Sequence, residues 1–175
     1  MIRIFLTGYM GAGKTTLGKA FARELNIPFI DLDWYIEERF HKSIGELFAM
    51  RGEASFRDLE RNMLHEVAEF DDVIVSTGGG TPCFYDNMDY MNRKGKTVFL
   101  DVHPNILFQR LHVAKQQRPI LQNKTDEELR EFIMDALSKR LPFYTQAHFH
   151  FDGGQLDNRL EIAESVQKLR ELLNV

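Results

Sequence analysis

Cysteine is nearly absent from this 175-residue sequence. Cys83 stands alone, which excludes an internal disulfide and fits a reducing compartment; we read it as a small loop residue. Long apolar runs are missing as well, and none approaches the roughly 20 residues of a membrane span. The chain enters strand-like sequence at its first residues, without the separate apolar segment and cleavage site of a secretory leader, so a cytoplasmic protein with no membrane partner is expected. Blocks of like charge do not occur either. With 22 basic against 26 acidic residues, a net charge of −4 and a pI near 5.9, a nucleic-acid partner would have to rest on a local basic patch. None is visible, and no repeat or low-complexity segment interrupts the chain.

What is present suffices for one folded unit. Hydrophobic residues make up 43% of the chain, enough for a single sizeable core, and we expect one domain over residues 1–175. Short segments, mostly apolar on both faces, fall at 3–7, 28–31, 73–76, 97–101 and 148–152, with helical patterns between them. Doubly buried strands alternating with amphipathic helices predict a parallel sheet covered on both sides, an α/β three-layer α/β/α sandwich. Ligands should then gather outside the carboxyl ends of the strands. Two insertions break the alternation: a helical region at 34–70 and a polar stretch at about 112–124. The second reads as a lid, closed by a helix start at Thr125 with Glu128 completing a capping box.

The segment Gly8-Tyr9-Met10-Gly11-Ala12-Gly13-Lys14-Thr15 follows the first strand directly and opens a helix patterned by Leu17, Phe21 and Leu25. In that setting it reads as a phosphate-binding P-loop: backbone N–H groups turn inward around an anion, Lys14 reaches the β- and γ-phosphates, and the Thr15 hydroxyl can ligate Mg²⁺. The positive end of helix 14–25 points at the same anion. A glycine-rich turn with no ligand is the bland alternative, and the strand-then-helix context argues against it.

Asp31 and Asp33 lie at the end of the second strand, and a period of two residues puts both side chains on the same side of the chain. Asp31 is the candidate for holding Mg²⁺ through a water, and Asp33 for meeting the hydroxyl that accepts the phosphoryl group; a solvated strand end capping the next helix is the competing reading. Gly78-Gly79-Gly80 follows strand 73–76, where many P-loop proteins carry an acid. No acid ends that strand, which strengthens the assignment of metal work to Asp31, while the glycines allow a ligand to approach the backbone. Four cations have site roles available: Lys14, Arg57 with Glu60 three residues on along a helix, Arg118 held extended before Pro119, and Arg140 ahead of Tyr144. His148 and His150 share one face of a terminal strand with no cysteine or third histidine nearby, so no metal site is expected there. Met10, Met50, Met63, Met88, Met91 and Met134 read as gap-filling or loop residues.

Taken together, the P-loop run at 8–15, Asp31-Leu32-Asp33, Phe56-Arg57 with Glu60, Gly78-Gly79-Gly80, Arg118-Pro119-Ile120-Leu121 and Arg140 with Tyr144 resemble the shikimate kinase family, in order and spacing, from about residue 2 to about 147. The resemblance implies a P-loop kinase fold with a five-stranded parallel sheet in the order 2-3-1-4-5, a substrate-binding region at about 32–62 and a lid at about 112–124. It further implies transfer of the ATP γ-phosphoryl group to the 3-hydroxyl of shikimate, giving shikimate 3-phosphate and ADP in the chorismate route to aromatic amino acids, by a monomer using Mg²⁺. Catalysis would fall to Lys14, Asp33 and Arg118. ATP would be held by Gly11, Ala12, Gly13, Lys14, Thr15, Thr16, Arg110 and Arg118, shikimate by Asp33, Arg57, Gly79, Gly80 and Arg140, and the metal by Thr15 and, through water, Asp31. The sequence departs from the family at Asp152-Gly153-Gly154-Gln155, which lacks the proline common in the adenine-contacting loop. A gluconate or nucleotide kinase of the same fold, and a non-catalytic nucleotide switch, stay open as alternatives. An arginine pair suited to a carboxylate favours an acidic substrate, and the acceptor-site Asp33 argues against a switch.

Overall fold

Strand β1 (Arg3–Thr7) occupies the middle of the sheet because every one of its central residues is apolar: Ile4, Phe5 and Leu6 are all fully buried. The structure, a computed structural model, describes residues 1–175 and the side chains of all but Gln116 and Pro119, both within the stretch expected to form a lid. Around β1 stand β2 (Phe29–Asp31), β3 (Val73–Ser76), β4 (Lys96–Asp101) and β5 (Phe149–Asp152). All pairings are parallel, and the order is β2-β3-β1-β4-β5, the order the family resemblance implies. Strand ends differ from expectation by a residue at most.

Burial on both faces follows from alternation along each strand. Ile4 and Leu6 of β1, with Ile74 of β3, enter one core, closed by Leu17 and Phe21 of α1 (Lys14–Leu25), Leu107 and Leu111 of α5 (Pro104–Ala114), Leu129 and Ile133 of α6 (Asp126–Tyr144) and Leu169 of α7 (Arg159–Leu173). Phe5, Val73 and Val75 point the other way, into a second core with Ile36 of α2 (Leu32–Phe40), Phe56 and Leu64 of α3 (Ile44–Val67) and Met91 of α4 (Asn87–Lys94). The helical insertion at 34–70 thus resolves into α2 and α3. Ser43 and Glu46 form a capping box that starts α3, and Gly52, at φ 74°, kinks it.

The polar stretch at 112–124 is more ordered than its composition suggests. Residues 112–114 complete α5, and two short 3₁₀ turns follow, Lys115–Gln117 and Pro119–Leu121, before the expected Thr125–Glu128 capping box opens α6. Leu121 is the reason. Its side chain is fully buried in the first core, in a segment whose other described side chains are exposed or half-buried. Leu121→Ala should therefore cost about 2–5 kcal/mol of unfolding free energy, read as a lower denaturant midpoint. A change below about 0.5 kcal/mol would mean that this segment is only a surface loop.

Candidate active site

The P-loop folds around glycines that take backbone angles other residues avoid: Gly11 and Gly13 have φ of 81° and 96°. Gly13 stands immediately before α1, so the amides of the loop and the helix N-terminus converge at one end of a cavity of about 870 Å³. Lys14, only 8% exposed, donates from Nζ to the carbonyls of Gly8 and Tyr9 at 2.7 and 3.0 Å. Burial pushes its ammonium down to about 8, against the pull of Asp33 and Asp31.

The two aspartates do not share a strand face. Asp31 ends β2, and its Oδ1 accepts the N–H of Trp34 at 3.3 Å. That cap starts α2 at the very next residue, so Asp33 lies in the first turn of a helix, where a period of two no longer applies. Both carboxylates still reach the cavity wall. Asp31 takes the capping role that sequence offered as the competing reading, and its Oδ2 also accepts the Thr15 hydroxyl at 2.9 Å. Asp33 is pushed up to about 6, first by burial and then by the charges of Asp31 and Glu60.

Gly78, Gly79 and Gly80 owe their place to space. None lies in the left-handed region. A Cβ on Gly78 would stand 2.9 Å from Asp33 Oδ1, one on Gly79 3.0 Å from Arg140 Nη1, and one on Gly80 2.7 Å from Arg57 Nη2. The turn after β3 is thus walled by three charged side chains from three helices. Expected as a place where a ligand nears the backbone, it first admits those side chains.

Each arginine beside this turn is held. Arg57 Nη1 bonds Glu60 Oε1 at 2.9 Å, Glu60 Oε2 accepts the Thr81 hydroxyl at 2.8 Å, and the guanidinium lies 4.0 Å over the ring of Phe84. Arg57 Nε is buried with no hydrogen-bond partner among the described residues. Tyr144 donates to the Gly79 carbonyl at 2.6 Å, and burial pushes its hydroxyl far up despite Arg140. Thr81 and Phe84 are site residues that sequence reasoning missed. Thr81, directly after the glycines, could have been found by position; Phe84 meets Arg57 only through the fold.

The remaining candidates divide by position. Gly11, Gly13, Lys14, Thr15 and Thr16 line the cavity with Asp31, Asp33 and Gly79, and Arg110 and Arg118 line it too. Ala12 is buried in the core beneath the loop. Arg57, Gly80 and Arg140 adjoin the cavity through the glycine turn and are not part of its wall. Arg110 spends its donors on protein carbonyls, those of Gly11, Ala12 and Gly153 at 3.1, 3.3 and 2.8 Å, so it ties the P-loop to the loop after β5. Arg118 has extended backbone, as the following proline predicts, and an exposed side chain. Cys83 is half-buried, with its thiol pushed up to about 11 by burial, and is therefore unreactive. Among the described residues no helix is long and apolar enough to cross a membrane.

The raised carboxyl of Asp33 has a stability consequence. A native group near 6 against an ordinary 3.8 holds its proton more tightly than the unfolded chain does, so wild type loses stability as pH rises from about 4 through 6. Asp33→Asn should remove that decline and be more stable than wild type at pH 7 by on the order of 2 kcal/mol. Denaturant titrations at pH 4, 5, 6 and 7 check it. An asparagine variant less stable than wild type at pH 7 would contradict the burial argument.

Comparison with known proteins agrees with this geometry. The family model described as shikimate kinase matches residues 10–171. The shikimate kinase of Bacteroides thetaiotaomicron is 72% identical over 175 residues, covering all of both chains. A crystal structure of shikimate kinase from that organism superposes with a TM-score of 0.98 over 99% of each chain. Shikimate kinase from Acinetobacter baumannii in complex with shikimate, 29% identical, superposes with a TM-score of 0.85 over 99% of this chain and 94% of that one.

Proposed function

The chain belongs to the shikimate kinase family, and from that premise we propose which of its residues carry out each part of the reaction. It is an ATP-dependent kinase that phosphorylates shikimate. The gluconate, nucleotide and switch alternatives lapse with that assignment. In our reading the γ-phosphoryl group passes to the 3-hydroxyl, and the enzyme works as a cytoplasmic monomer organised as one domain, with a substrate-binding region at 32–62 and a lid at 112–124.

One observation carries the residue roles: the Gly78–Gly80 turn has the carboxylate of Asp33 on one glycine and the guanidinium groups of Arg140 and Arg57 on the next two. Shikimate is a carboxylate bearing three hydroxyls. Planar guanidinium forks suit its acid, and an aspartate with neighbouring backbone groups suits a hydroxyl. Arg57 and Arg140 therefore clamp the carboxylate with Gly79 and Gly80 alongside, and Asp33 orients the acceptor oxygen and takes its proton. A group near 6 is largely ionised at pH 7, yet basic enough for that work.

ATP lies along Gly11 to Thr16, with Arg110 bracing the loop beside the adenine end. Lys14 exchanges the carbonyls of Gly8 and Tyr9 for phosphate oxygens. Thr15 Oγ1 and Asp31 Oδ2, 2.9 Å apart on the cavity wall, are hard oxygen donors of the kind Mg²⁺ takes, directly and through water. When bound, that ion neutralises phosphate charge. Phosphoryl transfer passes through a loose transition state that asks for position and charge more than covalent help, and Arg118 brings its charge when the lid closes and excludes water.

A coupled ADP-release assay offering shikimate, gluconate or a nucleoside monophosphate should give turnover with shikimate alone. Arg118→Ala should lower kcat roughly 10³-fold while raising either KM far less, because the lid cation meets the transferring group mainly in the closed state. Wild-type kinetics in that variant would remove the lid from the mechanism.

A further inference from the structure

Tyr9, the second residue of the P-loop, is in an unusual position for so large a side chain. It is 1% exposed and packed into the first core, yet its hydroxyl is buried with no hydrogen-bond partner among the described residues. A hydroxyl left in that state costs stability, so any gain from the residue has to come through its ring. Its ring does have a partner. The Arg140 guanidinium carbon stands 5.6 Å from the ring centroid, over its face, within the range at which a ring attracts a cation. Arg140 also stands close to the glycine turn: a Cβ on Gly79 would come within 3.0 Å of Nη1, and would also stand 3.6 Å from the Gly8 carbonyl and the Met10 amide. The guanidinium is therefore close to both the glycine turn and the loop that carries Tyr9.

We infer that Tyr9 is a positioning residue for the substrate acid, its ring serving as the platform that holds the Arg140 fork in the plane needed to meet a carboxylate. The inference rests on the reading of Arg140 as part of the carboxylate clamp. The ring and not the hydroxyl does the holding, because the hydroxyl has no partner among the described residues. Arg57 has a platform of the same kind in Phe84, at 4.0 Å, so both arms of the clamp are seated on an aromatic face. Arg140 approaches a phosphate-binding loop without joining it, and Tyr9 is the contact through which it does so.

Steady-state kinetics, with each substrate varied at saturation of the other, test this. Tyr9→Leu should raise the KM for shikimate about tenfold and leave the KM for ATP within about twofold of wild type. Tyr9→Phe, which keeps the ring, should bring the shikimate KM back to within about twofold of wild type. If Tyr9→Leu does not fold, Tyr9→Met fills the volume without a ring and takes its place. Arg140→Lys should raise the shikimate KM in wild type and add little in the Tyr9→Leu background, since the two act as one unit. Equal rises in both KM values, or a phenylalanine variant as impaired as leucine, would overturn the platform. If Arg140→Lys raises the shikimate KM and Tyr9→Leu does not, the platform fails while the clamp stands. If Arg140→Lys changes nothing, the clamp itself is wrong.

Discussion

The site depends on how closely three charged side chains approach one short stretch of backbone. Asp33, Arg140 and Arg57 come from different helices and would each collide with a Cβ on Gly78, Gly79 or Gly80. Any side chain at those positions forces a choice between moving a charge and moving the turn. The turn is fixed by β3, which is paired on both sides by β2 and β1, and Arg57 is fixed by its ion pair with a fully buried Glu60. Glycine is required here for room, whereas in the P-loop it is required for conformation.

From that constraint the arrangement of opposite charges follows. Burial is the first cause of the shifts at this site: Asp33 rises and Lys14 falls, while each favours the charged form of the other and so opposes the other's shift. The protein bears the cost of gathering like charges, Asp31 with Asp33 and Glu60, in exchange for a cavity where phosphate and carboxylate ligands meet ready partners. Such strain at a binding site is ordinary.

Much of this was legible in the sequence, for reasons that differ by element. The five strands were visible as short, mostly apolar segments between helices, most plainly β1 and β3, which are fully buried through their centres, and less so the half-buried edge strands β2 and β5. The Arg57–Glu60 pair was visible because three-residue spacing on a helix makes contact nearly certain. Asp33 was misplaced because the capping bond from Trp34 to Asp31 ends β2 early, a contest between strand and helix that local pattern does not decide. The stretch at 112–124 was read as looser than it is because one residue, Leu121, carries its anchoring, and one apolar residue has no period. Phe84 under Arg57 and Tyr9 under Arg140 were out of reach, since both contacts exist only once distant segments are folded together. The substrate itself was legible only from the motifs as a set.

The central claim, that the glycine turn is bare so that charged side chains can stand against it, is tested most directly by Gly80→Ala with shikimate binding measured by calorimetry. The new methyl would lie 2.7 Å from Arg57 Nη2, and relief requires the guanidinium to shift against its contacts with Glu60 and the Phe84 ring. The account predicts a shikimate Kd at least about tenfold weaker, the loss of one charge-assisted hydrogen bond, with a melting temperature within about 4 °C of wild type. An alanine variant that binds shikimate as tightly as wild type would show that the close approach of Arg57 to Gly80 is incidental and contradict the account.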